Sequence, residues 1–330
     1  MLYLWNIRIR RASRRTAYQG ETFLYTGQRY FRFFLLFSPK YLTFALAMKE
    51  TVYNFGLNLD WEMLSRLRLL DRFDSAWETL ESKDAMQLQE LKTIATIRSI
   101  GSSTRIEGSQ MSNEEVENLL KNIKISKLES RDAQEVAGYY EALEIIFDSF
   151  NEIQIRENDI KSLHNILLKH STKDLWHKGD YKQMTNAVEA TMSDGSKKII
   201  FQTTEAGIPT QDAMRSLINW YNAENQVHPL IKCAAFVYEF VSIHPFQDGN
   251  GRMSRLLTNL LLLKNGYHWI QYVSLEHEIE SRKVEYYKVL RMCQAQRPNE
   301  DISLWVEFFL DCLQNIQTLL DDKIRRREKP

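Results

Sequence analysis

From about residue 60 onward, apolar residues recur at three- and four-residue spacing, the mark of helices with one buried face. Trp61 to Phe73 and Met86 to Ile106 follow this rule, the second through Leu88, Leu91, Ile94, Ala95, Ile97 and Ile100. Gly108 supplies a stop, and Ser112-Asn113-Glu114-Glu115 has the form of a capping box opening another short helix. The rhythm continues over 131–150 (Ala133, Val136, Tyr139, Tyr140, Leu143, Ile146) and 157–170. Ile231 to Val241 predicts a helix buried on most sides, and Met253 to Leu263 a second one ending at Asn265-Gly266. Ile279 to Met292 and Ile302 to Leu320 complete the helices, and 321–330 is a charged tail. The only clear strand signal is Asn186 to Ala190 and Lys197 to Gln202, flanking Ser193-Asp194-Gly195-Ser196. Asp-Gly is a strong hairpin turn. The expectation is an all-α fold carrying one small β-hairpin.

Composition changes this picture in one place. The chain has 43 basic and 43 acidic residues, so overall charge points to neither nucleic acid nor membrane. Residues 1–47, however, hold eight basic residues against Glu21 alone, with apolar runs divided by Pro39-Lys40. Neither run approaches the roughly 20 residues of a spanning helix. This stretch reads either as a targeting or membrane-surface segment or, preferably, as a leader outside the fold, with Met48 as the natural start. Cys233, Cys293 and Cys312 are odd in number and form no CxxC, which argues against a disulfide framework and suits a reducing cytoplasm.

The chemistry is concentrated in Ile243 to Arg255. Pro245 disfavours helical geometry at His244 and so ends the preceding helix. Asp248-Gly249-Asn250-Gly251 predicts a turn in which glycine and Asn permit positive φ and direct backbone N–H groups inward. A polar turn opening a helix makes an anion site, because the first N–H groups lack partners and the dipole is positive there. Arg252 and Arg255, three apart, are expected to reach one phosphate chain. His244 is a candidate base near neutral pH, and Asp248 a hard ligand for Mg²⁺ beside phosphates. No GxxxxGK[ST] occurs, so this is not a P-loop. The plainer alternative is a helix-loop-helix with a glycine turn and two surface arginines.

Residues His244 to Arg255 match H-x-F-x-D/E-G-N-G-R-x-x-R at every specified position, and the chain here resembles the Fic (Fido-domain) proteins. The resemblance implies transfer of AMP from ATP to a Ser, Thr or Tyr hydroxyl of a target protein. It makes His244 the general base, Asp248 the Mg²⁺ ligand, Gly249, Asn250, Gly251 and Arg252 the cradle for the α- and β-phosphates, and Arg255 the γ-phosphate contact. Tyr287 falls at an aromatic position near the adenine. Ser103 to Gly108 resembles the family's inhibitory pattern, S/T-x-x-x-E-G/N, which implies that Glu107 pairs with Arg255 and blocks a productive γ-phosphate pose. The hairpin at 186–202 corresponds to the flap on which a target segment docks. Four regions follow: the leader 1–47, an N-terminal helical region 48–150 with the inhibitory motif at 103–108, a catalytic core 151–320, and the tail 321–330. No nucleic-acid partner and no membrane contact of the core are expected, and a homodimer is left open. Rival readings are AMP removal with Glu107 placing a water, transfer of UMP or another phosphate-containing group, and a non-catalytic nucleotide sensor. His277, between Glu276 and Glu278, is metal-like in composition only and reads as surface.

Overall fold

The computed structural model describes residues 55–81, 85–123, 127–191 and 197–327. The leader 1–47, the Asp194-Gly195 turn and the last residues of the tail lie outside the described residues. In order the chain forms α1 (Trp61–Glu81), α2 (Ala85–Ile106), α3 (Asn113–Lys121), α4 (Arg131–Ser149) and α5 (Glu157–Leu167). A hairpin, β1 (Ala187–Thr191) and β2 (Lys197–Gln202), precedes α6 (Ile208–Ala223), α7 (Pro229–Ile243) and α8 (Asn250–Lys264). After a 3₁₀ turn (His268–Tyr272) come α9 (Leu275–Ser281), α10 (Lys283–Gln294) and α11 (Ser303–Arg327). Among the described residues the hairpin is the only sheet, and no helix is long and apolar enough to cross a membrane.

The antiparallel pair α7–α8 is the centre. From Arg252 to Leu263 every residue of α8 is buried, as are twelve of the fifteen residues of α7. Such helices need neighbours on all sides: α8 packs on α7, α4, α5 and α2, and α7 also touches α6 and α11. Buried polar side chains of α8 are satisfied locally, Ser254 donating to the Gly251 carbonyl (2.7 Å) and Thr258 to that of Ser254 (2.8 Å). Trp305 of α11 donates its indole N–H to the Ala234 carbonyl on α7 at 2.7 Å. The first described residues are tied to the segment leading into α11, where Gly56 N–H meets the Glu300 carbonyl (2.7 Å) and Ile302 N–H meets that of Gly56 (2.9 Å).

Boundaries departed from the pattern where side chains, not spacing, decide them. The first helix runs to Glu81, eight residues beyond Phe73, because Trp77 is buried against Phe73 and Tyr272. The span 279–292 is two helices, broken at Arg282. The capping box is present, with Ser112 Oγ accepting from Glu115 N–H and Glu115 accepting from Ser112 N–H. His277 is exposed, but its neighbour Glu276 is buried and accepts from Tyr139 OH (3.0 Å) and Asn259 Nδ2 (2.8 Å).

Helices α4 and α5 approach closely at Gly138, where an added Cβ would run into the Leu167 carbonyl. That carbonyl belongs to the last turn of α5 and cannot move without the helix. Gly138→Ala is expected to lower unfolding free energy by about 1–3 kcal/mol, read from urea denaturation; an unchanged midpoint would show that the crossing is loose.

Candidate active site

Helix α7 ends at His244, the only described non-glycine residue with positive φ (54°, ψ 61°), and Pro245 follows it. The turn then returns through Phe246, Gln247 and Asp248 to Gly249 (φ 80°), and α8 begins at Asn250. It begins three residues earlier than the sequence pattern suggests. Asn250 clamps the turn: its Oδ1 accepts from Phe246 N–H (2.9 Å) while its Nδ2 donates to the Phe246 carbonyl (2.8 Å). Of the four residues expected to turn, only Gly249 needs positive φ; Asn250 and Gly251 are helical.

Gly251 is needed for a different reason. A Cβ there would overlap the Glu107 carboxylate, which rests on the first turn of α8. Glu107 follows the last turn of α2, just before Gly108 (φ 106°), and its Oε1 accepts from Arg255 Nη2 at 2.8 Å. Arg255 is 3% exposed and makes two further bonds to α2, from Nε to Ser103 Oγ (2.8 Å) and from Nη2 to the Ser103 carbonyl (3.0 Å). Burial opposes the Glu107 charge, but Arg255, with help from Arg252, holds its carboxyl below the ordinary value. The expected pairing of Glu107 with Arg255 is thus a direct contact, and Ser103 of the same motif bonds Arg255 as well.

The two arginines, expected to reach one phosphate chain, diverge in this structure. Arg252 is 1% exposed and faces inward, its Nη1 3.5 Å from Glu135 of α4 and its Nη2 3.4 Å from Asp248 Oδ1. Its Nε and Nη1 donate no hydrogen bond within the protein. Arg255 lines the cavity; Arg252 lies behind the turn.

That cavity, of about 470 Å³, is bounded by Gln247 to Gly251, His244, Arg255, Glu107, Tyr287 and, on the hairpin side, Val188, Ile200 and Phe201. Helix α10 contributes Tyr286 and Leu290 as well as Tyr287. The hairpin register pairs Val188 with Phe201 and Glu189 with Ile199, with a bulge between residues 188 and 189. Its base runs beside the turn: Lys182 N–H donates to the Pro245 carbonyl (2.8 Å), Met184 N–H to Gln247 Oε1 (3.3 Å), and Asn186 Nδ2 to the Phe246 carbonyl (3.0 Å).

His244 Nδ1 lies 3.3 Å from the Val241 carbonyl, which can only accept, so Nδ1 carries the proton and the Nε2 lone pair is free. Burial depresses its pKa to about 4, aided by the positive charge of Lys182 and opposed by the Val241 bond, Glu107 and Asp248. The imidazole is therefore neutral and able to accept a proton at pH 7. Asp248 is partly buried, which resists ionisation, yet Arg252, Lys173 and the Gly249 N–H hold its carboxyl far below the usual range. Lys173 Nζ donates to Asp248 Oδ2 at 2.9 Å. Among the described residues no three His, Cys, Asp or Glu side chains gather as a metal cage. A single ionised carboxylate beside a phosphate cradle nonetheless suits Mg²⁺, which takes most of its ligands from water and phosphate.

Several contributors are invisible in the motif. His164 of α5 stacks on Phe246 (centroids 3.7 Å apart, 7° between planes). Gly179 N–H donates to His164 Nδ1 (2.9 Å), so Nε2 is the protonated nitrogen and donates to the Asp248 carbonyl (3.0 Å). Glu135 and Lys173 likewise come from elements that sequence spacing treats as ordinary helix and loop. The signal available was a lone histidine on the apolar face of 157–170, which more often marks packing than function.

The site thus combines a helix start, a neutral imidazole at the cavity rim and the protein's own carboxylate on a buried arginine. The model of the Fic/DOC family matches residues 154–262, and this stretch is a Fic/DOC domain. The chain is 29% identical over 274 residues to Protein adenylyltransferase Fic of Drosophila erecta, covering 82% of this chain and 50% of that protein. It is 27% identical over 296 residues to Protein adenylyltransferase Fic of Culex quinquefasciatus, covering 88% and 53%. The chain therefore spans about half the length of the curated relatives it matches. A crystal structure of a Fic family protein from Desulfovibrio desulfuricans G20 superposes with a TM-score of 0.69 at 24% identity, covering 82% of this chain and 77% of that one, which establishes the shared fold.

The fully buried His164 has its pKa lowered to about 4, mainly by burial, from an ordinary 6.5. Unfolding releases an imidazole that takes up a proton, so stability is complete above about pH 6.5 and is lost as pH falls toward about 4. His164 alone accounts for about 3 kcal/mol of that loss, and His244 acts in the same direction. Urea unfolding across this window should show the slope, and His164→Gln should flatten it while costing about 1–3 kcal/mol at neutral pH. An unaltered slope in the variant would assign the pH dependence to other groups.

Proposed function

We propose that the protein is an adenylyltransferase that moves AMP from Mg·ATP to a hydroxyl of a target protein, and that Glu107 restrains it. The observation that carries this reading is the Glu107 carboxylate seated on the first turn of α8 and bonded to Arg255. An internal anion bonds the guanidinium and lies against the helix start, where a phosphate oxygen would find the same surroundings. The curated relatives are named protein adenylyltransferases, which supports AMP as the group transferred.

The residues divide the work by position. His244 Nε2 faces the cavity unprotonated and takes the proton of the acceptor hydroxyl as its oxygen attacks the α-phosphorus. The new P–O bond forms as the bond to the departing pyrophosphate breaks, leaving the proton on His244. Asn250 and Gly251 offer backbone N–H groups at the start of α8 to the phosphates, Gly249 forms the turn with its own N–H held by Asp248 Oδ1, and Arg255 neutralises the terminal phosphate. Arg252, buried behind the turn between Glu135 and Asp248, adds positive potential there from the inner side. Asp248 would hold Mg²⁺ together with phosphate oxygens, and the ion would offset the charge of the leaving group. Tyr287 lies across the cavity as an aromatic wall for the adenine. A target segment added along the hairpin by backbone bonds would bring its hydroxyl to the rim without reading much sequence. With Glu107 on Arg255, the terminal phosphate loses its guanidinium and meets a like charge.

Glu107→Gly is expected to raise automodification with labelled ATP by at least about tenfold, the equivalent of one strong charge-assisted contact. No increase would remove the inhibitory role. In that background His244→Ala should abolish transfer while Mg·ATP binding, followed by calorimetry, stays within about twofold; loss of binding as well would make His244 structural.

A further inference from the structure

Lys182 is among the largest side chains that the fold buries completely, at 2% exposed. Among the described residues it has no carboxylate partner, and all three ammonium protons go to neutral oxygens: Asn186 Oδ1 (3.0 Å), Thr203 Oγ1 (2.9 Å) and the Ile243 carbonyl (3.1 Å). Burying a cation without a counter-charge is costly, and burial does pull its pKa down to about 8. Methionine would fill a similar space without that cost, so stability alone is a poor reason for lysine here.

The acceptors supply the reason. Asn186 immediately precedes β1 and Thr203 immediately follows β2, so one ammonium holds both feet of the hairpin. Thr203 Oγ1 in turn donates to the Asn186 carbonyl at 2.6 Å, closing the base. Ile243 is the last residue of α7, and its carbonyl sits at the negative end of that helix, directly before His244. Lys182 N–H also bonds the Pro245 carbonyl at 2.8 Å, so residue 182 grips the chain on either side of His244. We propose that Lys182 is a positioning residue that couples the hairpin to the turn bearing His244, so that acceptor placement and orientation of the base are set by one buried ammonium. Its part in catalysis rests on the transfer reaction proposed above; the mechanical coupling does not.

The experiment uses the full chain with Lys182→Met and Lys182→Arg, each alone and with Glu107→Gly. Amide hydrogen exchange by mass spectrometry reads the coupling without any activity. In Lys182→Met, peptides covering 186–203 and 243–247 are expected to exchange at least about tenfold faster, with α8 unchanged. Lys182→Arg, which keeps charge and donors, is expected to restore much of the protection. Wild-type exchange in Lys182→Met would overturn the coupling. If that variant does not fold, Lys182→Gln carries the same comparison.

In the Glu107→Gly background, Lys182→Met is expected to slow automodification at least about tenfold while ATP affinity stays within about twofold. The charged groups facing His244 are Lys182, Glu107 and Asp248, of which Lys182 and Asp248 remain in this background. Loss of the cation makes protonation of His244 easier, so the acid limb of the rate profile moves to higher pH. In Lys182→Arg it stays in place. A slower rate with an unmoved limb in Lys182→Met would reduce Lys182 to a structural role. Faster hairpin exchange in a protein that never transfers AMP would leave the coupling standing and overturn the reaction instead.

Discussion

The position of the first turn of α8 governs everything around it. A helix start inside a packed core leaves N–H groups without partners, and a hydrophobic interior cannot satisfy them. Asn250 solves half of this by bonding both polar groups of Phe246 across the turn, and His164 fixes the Asp248 carbonyl from the other side. The remaining donors face a cavity that must contain an anion or water. Glu107 brings a negative charge to that helix start from within the protein and bonds Arg255 beside it.

Charges around the turn are arranged as layers. Arg252 lies deepest, between Glu135 and Asp248; Asp248 is bridged outward to Lys173; Arg255 stands on the opposite wall with Glu107. Each carboxylate has a cationic neighbour, so the site is compensated before any ligand arrives. An anion competing for Arg255 has to displace Glu107, and the cost of leaving Glu107 unpaired decides how readily it does so.

Much of this was readable in twelve consecutive residues, because His244, Asp248 and Arg255 act through backbone geometry that their own spacing dictates. Glu107 was readable only by resemblance, since a lone Glu at a helix end has no distinguishing pattern. The opposite fates of Arg252 and Arg255 were not readable. A three-residue offset places them on neighbouring faces, and which face meets the cavity depends on α4 presenting Glu135 and α2 presenting Ser103. Gly251 looked like a turn former, yet its missing side chain makes room for Glu107. Lys182, His164 and Glu276 stand alone in sequence, and only packing shows that their polar atoms are buried and answered. Patterns of two and 3.6 residues report which faces are apolar and are silent about single polar groups that tertiary contacts draw inside.

Losing the Glu107 contact need not dismantle the arginine. Arg255 has two bonds besides that to Glu107, Nε to Ser103 Oγ and Nη2 to the Ser103 carbonyl, and Ser103 lies within α2 whereas Glu107 lies just beyond its end. Gly108 follows at a positive φ, where α2 has ended. Rotating one glutamate side chain away would therefore vacate the cradle while its guanidinium stayed in place. The Glu107–Arg255 contact is a single bond at the edge of α2, and a contact of that kind can be broken without unfolding any element of the core.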